Sequence, residues 1–120
     1  MQATIDKKQL NDLIDNLKDM GDFVADAVFD EIQATALEIE TDAKLNCPVD
    51  TGNLRASIKS IYDRKTFAAG VFSNVEYAPY VEFGTSKQQA QPFLYPAYFA
   101  GIGRLMRNLE NVMKNVKGDK

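Results

Sequence analysis

The chain has 120 residues, 45% hydrophobic and 26% charged, which suits one domain around a single modest core. Its 14 basic and 17 acidic residues leave a net charge of −3, so a basic surface gripping duplex DNA through its phosphates is not expected. Histidine is absent and Cys47 is the only cysteine, which excludes imidazole general-base chemistry, Ser-His and Cys-His nucleophiles, an internal disulfide and multi-cysteine metal sites.

The opening Met1-Gln2-Ala3-Thr4-Ile5-Asp6 lacks the basic-then-apolar pattern of a secretory signal. No apolar run approaches the ~20 residues that a membrane helix needs. From residue 7 to 46 the pattern is helical. Leu10, Leu13, Leu17, Met20, Val24, Val28, Ile32 and Leu37 recur at helical spacing as one apolar stripe, with Gly21 as the place for a kink or break into two helices. Pro48 ends the run, because the residue before proline disfavours the helical region. Asp50-Thr51-Gly52-Asn53 supplies turn and N-cap chemistry before a short turn over 54–57, with Gly52 free to take a positive φ.

Residues 58–64 and 67–73 are rich in β-branched and aromatic side chains, and the polar Asp63-Arg64-Lys65-Thr66 between them predicts a hairpin. A short helical turn follows over 77–83, with Pro79 in its first turn. Tyr77, Tyr80 and Phe83 lie three residues apart, so they share a face and are expected to pack on the sheet. Gly84-Thr85 ends that turn, and the polar stretch 84–91, with Lys87, Gln88 and Gln89, is expected to be a mobile loop. Pro92 and Pro96 frame the start of a last helix reaching about residue 117, striped by Ile102, Leu105, Leu109, Val112 and Val116 and stopped by Gly118. The predicted fold is α+β: a long N-terminal helix, an antiparallel hairpin sheet, a short helix, and a long C-terminal helix packed on the sheet, in one domain over 1–120 without internal repeats.

Charge is patterned along both long helices. Asp12, Asp15, Asp19, Asp22, Asp26 and Asp30 step by three or four residues and fall in one sector opposite the apolar stripe. In the last helix Arg104, Arg107 and Lys114 gather away from the apolar seam. As plain solvated faces these need no partner. The sharper reading has the two faces meet between neighbouring subunits, or has the acidic one line a channel that repels phosphates. Arg55 and Glu82, each beside an apolar anchor (Leu54 and Phe83), are expected to form a partly buried ion pair.

Three segments in this order carry a family resemblance. They are Cys47-Pro48-Val49-Asp50-Thr51-Gly52-Asn53-Leu54-Arg55-Ala56-Ser57-Ile58, then Asn74-Val75-Glu76-Tyr77-Ala78-Pro79-Tyr80-Val81-Glu82-Phe83-Gly84-Thr85, then Gln91-Pro92-Phe93-Leu94-Tyr95-Pro96-Ala97. With their flanking helices the segments resemble the head–tail joining (neck, or tail-completion) proteins of long-tailed bacteriophages. Cys47 departs from the usual alanine of that pattern, a change between small apolar residues. The resemblance implies a structural virion protein made in the host cytoplasm, without catalytic residues, cofactor or metal. It also implies a ring of copies in the neck that docks on the connector or head-closure protein and on tail proteins while DNA passes through the lumen. Neither a membrane nor sequence-specific nucleic acid belongs to that picture.

Two other classes fit less well. Asp50-Thr51-Gly52 is also the aspartic-protease triplet, and Gly101-Ile102-Gly103-Arg104 loosely echoes a second element of the short dimeric proteases, where two carboxylates share a proton. Those enzymes are almost all β, whereas here the triplet follows a long helical pattern. A soluble regulatory binding module would carry a basic recognition helix or a dedicated dimer seam, and neither stands out. Cys47 has no histidine partner and sits where a small buried residue would end a helix, so a reduced, inert thiol is expected.

Overall fold

The computed structural model describes residues 1–6, 10, 21–48 and 52–118. Its elements in order are β1 (Gln2–Ile5), α1 (Asp22–Asn46), α2 (Gly52–Ser57), β2 (Lys59–Asp63), β3 (Ala68–Phe72), α3 (Ala78–Phe83) and α4 (Tyr95–Gly118), an α+β arrangement. The hairpin forms where the β-branched and aromatic residues flank the polar turn, running from Lys59 opposite Phe72 to Asp63 opposite Ala68. Its turn is closed by the Asp63 carboxylate, which accepts from the Lys65 amide at 3.0 Å and the Thr66 hydroxyl at 3.1 Å. Phe67 leaves the turn at φ 51°, a left-handed position unusual for an aromatic residue.

The sheet has a third strand that the sequence reading left out. β1 pairs antiparallel with β3, Gln2 opposite Phe72 and Ile5 opposite Ala69, so the order is β1-β3-β2. Ala3 and Ile5 from β1 and Ala69 and Val71 from β3 are buried on one face, which the helices cover. The register puts Thr4, Gly70 and Ile61 in a row on the opposite face.

Gly21, at φ 90°, stands immediately before α1 and marks where that helix begins. What precedes it in the predicted stripe, apart from buried Leu10, lies outside the described residues. Val24, Val28 and Ile32 are buried as expected, but the seam continues through Ala36, Ile39 and Ala43, and Leu37 points outward. A step from 32 to 36 keeps the 3.6-residue period, whereas a step to 37 rotates about 100° further off the face. At the other end Cys47 caps the helix with extended backbone (ψ 141°), as the following Pro48 requires, and its amide still reaches the Ala43 carbonyl at 3.1 Å.

α4 runs antiparallel beside α1. The Asn46 amide donates to the Phe93 carbonyl at 3.2 Å, and further along the Asn108 amide donates to Glu31 at 3.1 Å. Between these contacts Gly101 meets Ile39 so closely that a Cβ would lie 2.5 Å from the isoleucine Cγ1. Ala97, Leu105 and Leu109 fill the buried seam, and the Tyr98 hydroxyl donates to the Thr4 carbonyl at 2.8 Å, tying α4 to β1. Gly52 corrects another expectation. It enters α2 as the first helical residue, and among the described residues the positive-φ glycines are Gly21 and Gly84.

Candidate interaction surfaces

The three motif segments converge on one buried joint. Leu54 of α2 and Phe93 before α4 are fully buried, and Cys47 at the end of α1 is buried too. Glu82 is 3% exposed, yet it does not pair with Arg55. Its Oε1 accepts from the amides of Phe93 (3.2 Å) and Leu94 (2.8 Å), and its Oε2 from that of Tyr95 (3.3 Å). The Tyr95 amide is the first of α4 and those of Phe93 and Leu94 lead into it; the helix itself offers them no carbonyl partner, and a carboxylate there also meets the positive end of the helix dipole. Arg55 instead donates from Nη2 to the Cys47 carbonyl at 3.2 Å, while its buried Nε has no partner. The expected ion pair is replaced by two separate caps, one on the start of α4 and one on the end of α1.

The Val81 carbonyl accepts from the Gln91 amide at 2.8 Å, closing the 84–91 segment into a loop. Gly84 opens it at φ 80°, where a Cβ would lie 2.7 Å from the Ala90 amide nitrogen. The Thr85 hydroxyl accepts from the amides of Lys87 (3.1 Å) and Gln88 (3.0 Å), leaving the Lys87, Gln88 and Gln89 side chains exposed. Pro92 and Pro96 are exposed at the entry to α4, and Pro48 is half-buried.

Tyr77, Tyr80 and Phe83 share a face, but that face does not pack on the sheet. Tyr80 is 61% and Phe83 64% exposed, and α3 buries Ala78 and Glu82 instead. Glu82 must point inward to reach the α4 amides, and this turns the aromatic side outward. Phe83 lies 5.7 Å from the Tyr95 ring, and Tyr95 lies 6.3 Å from Phe99, which is 68% exposed. The result is an exposed aromatic cluster spanning α3 and the start of α4. From Phe83 to Gly103 the chain carries one charge, Lys87, so nothing acidic borders it within that segment.

Opposite the helices, the outer face of the sheet carries a shallow apolar groove of about 310 Å³. Gly70 floors it, with Thr4, Ile61 and Phe72 as walls and Asp6 and Asp63 at its margin. The sequence signal for it was the glycine in the middle of a strand, which leaves a gap on one face.

The charged faces are partly spent within the chain. Arg104 donates to Glu38 at 3.0 Å and to Asp42 at 3.3 Å, so it holds α4 to α1 and is not a free cation for a neighbour. Asp26 pairs with Arg64 of the hairpin turn, whose guanidinium also sits over the Phe29 ring. Asp30, Arg107 and Lys114 are exposed. Asp12, Asp15 and Asp19 and the Asp22 side chain lie outside the described residues, as do Asp50 and Thr51. Burial raises the Glu40 pKa, but hydrogen bonds from Ser60 and Lys44, with the Lys44 charge, outweigh it and hold the carboxyl below its ordinary value. Burial pushes the Cys47 thiol up.

Among the described residues no His, Cys, Asp and Glu cluster could hold a metal ion, and no helix is long and apolar enough to cross a membrane. The segment Gly101-Ile102-Gly103-Arg104, which echoed a protease element, lies within α4 and serves helix packing. Residues 11–84 match the HK97-gp10-like family model, described as "Bacteriophage HK97-gp10, putative tail-component". The match spans more than half of the chain, and the chain belongs to this family of phage tail components. No curated protein and no solved structure gives a significant match.

Proposed function

We propose that this chain is a structural part of the phage neck, completing the tail or joining it to the head at the connector and acting by contact. The family match over 11–84 carries the reading, because it spans α1 to α3 and with them two of the three motif segments. The exposed aromatic cluster supports it, since large apolar groups left in water on a small domain mark a surface meant for a partner. In this reading the chain is made in the host cytoplasm and resides in the virion. Several copies form a ring, contacting the connector or head-closure protein on one side and tail proteins on the other. DNA passes through the lumen, and the acidic stripe, of which Asp30 is exposed while Asp26 is spent on Arg64, repels its phosphates. The 84–91 loop, presenting Lys87, Gln88 and Gln89, orders against a neighbour.

The test is a phage whose copy of the gene is interrupted, examined by electron microscopy of the lysate. Filled heads and separate tails, rejoined when the chain is supplied from a plasmid, are expected. Intact particles without it contradict the proposal.

A further inference from the structure

α3 is fastened to the rest of the chain with little apolar contact. Of its six residues Ala78 and Glu82 are buried and Pro79 and Val81 half-buried, while Tyr80 and Phe83 point outward. A surface helix usually docks through a stripe of large apolar side chains. Here the most deeply placed long side chain is a carboxylate. Its oxygens hold the amides of Phe93, Leu94 and Tyr95 at 3.2, 2.8 and 3.3 Å, all beyond the loop that α3 leads into. The Val81 carbonyl adds one backbone tie, from the Gln91 amide at 2.8 Å. Both ties join the end of α3 to the entry of α4.

The ring contacts divide along the same line. Tyr95 and Phe99 both belong to α4, four residues apart, and that helix alone sets their 6.3 Å contact. The contact of Phe83 with Tyr95, at 5.7 Å, crosses from α3 to α4 and lasts only while the two are fastened. Phe83 follows Glu82 directly in the chain, so the carboxylate fixes where that ring stands.

We infer that residues 78–91 form a flap on the entry to α4 and that Glu82 is its latch. Closed, the flap completes the aromatic cluster. Lifted, it parts Tyr80 and Phe83 from Tyr95 and Phe99 and frees the amides of Gln91, Phe93, Leu94 and Tyr95. Lifting costs less than global unfolding, because the seam of Ile32, Ile39, Leu105 and Leu109 between α1 and α4 stays packed. Glu82 is thereby a positioning residue for an exposed aromatic surface; that this surface serves a partner rests on the role proposed above, whereas the latch does not.

Native-state amide exchange of the isolated chain at low urea concentrations tests the latch. The Gln91, Phe93, Leu94 and Tyr95 amides should share one opening of weak urea dependence, with protection at least about ten-fold lower than that of Ile39 and Leu105. The Tyr98 amide, bonded to the Leu94 carbonyl at 2.9 Å, reports on α4 itself and should not share that opening. Glu82→Ala should speed exchange of Phe93, Leu94 and Tyr95 by about ten-fold or more, the size of a lost bond to a charged acceptor. It should also erase the Phe83–Tyr95 cross-peak in NMR spectra while the Tyr95–Phe99 cross-peak persists. Glu82→Gln, which keeps one acceptor oxygen, should change both in the same direction but less, and it carries the test where the alanine variant is unfolded.

Three results would overturn the inference. The first is a urea dependence of the four amides equal to that of the seam. The second is a Tyr98 amide that exchanges together with them, which means that α4 frays and no flap lifts. The third is a Phe83–Tyr95 cross-peak undiminished in the Glu82 variants. Each concerns the isolated chain, so it leaves the structural role standing, and that role fails separately if joined particles form without the chain.

Discussion

Glu82 shows how one buried charge can organise a joint without an ion pair. Its carboxylate satisfies three amides at the start of α4, so the acid is held where an uncapped helix end would otherwise be buried. Glu82→Ala should lower the unfolding free energy by about 3 kcal/mol in urea titrations, in line with stranding amides that were bonded to a charged acceptor. Glu82→Gln, which keeps one acceptor oxygen, should cost clearly less. Equal losses for both would mean that packing, not capping, places this residue. Sequence reading saw that Glu82 mattered but paired it with Arg55. The amides it serves lie eleven to thirteen residues along the chain and carry no side-chain signature.

Two titrating groups set expectations of opposite sign. Burial raises the Cys47 pKa, so ionising the thiol disfavours the folded state, and Cys47 should destabilise the fold as pH rises through the thiol's ordinary range. Thiol reagents should modify the native chain far more slowly than the urea-unfolded one, and equal rates would contradict the buried placement. Glu40 has a lowered pKa, so its contribution is present above the ordinary carboxylate value and is lost as pH falls through the folded one. A Glu40→Gln variant should therefore show a weaker acid dependence of melting temperature than the parent chain.

At the scale of elements, two glycines in α4 separate packing from propensity. Gly101→Ala would push a Cβ into buried Ile39, and overpacking of this kind costs about 1–3 kcal/mol, more than the gain in helix propensity of about 1 kcal/mol. Gly103 meets only the far end of Arg107 at 3.7 Å, so Gly103→Ala should stabilise the chain by up to about 1 kcal/mol. Paired denaturant titrations check both signs. The same elements show what periodicity reveals. The two long helices follow from apolar spacing that is strong over many residues, and the hairpin from β-branched and aromatic residues around a polar turn. β1 did not, because four residues are too few to establish alternation, and its pairing with β3 is made across more than half of the chain. The outward turn of Tyr80 and Phe83 escaped for a related reason: equal spacing tells which residues share a face, not which face is buried.

At the scale of the whole molecule, α4 and α1 close one side of the sheet and, among the described residues, leave aromatic and sheet-face surfaces exposed. Neither surface is large and continuous, so the chain at micromolar concentration should scatter light as a monomer or weak associate and close its ring on a template; a stable closed ring at that concentration without partners would contradict this. The proposed place of the chain in the neck is tested by imaging purified particles in which the chain bears a small tag, with averaging of the head–tail junction. Extra density in a closed layer between connector and tail is the expected result. Tag density on the capsid shell or the tail tip, or no tag in the particle at all, would contradict it.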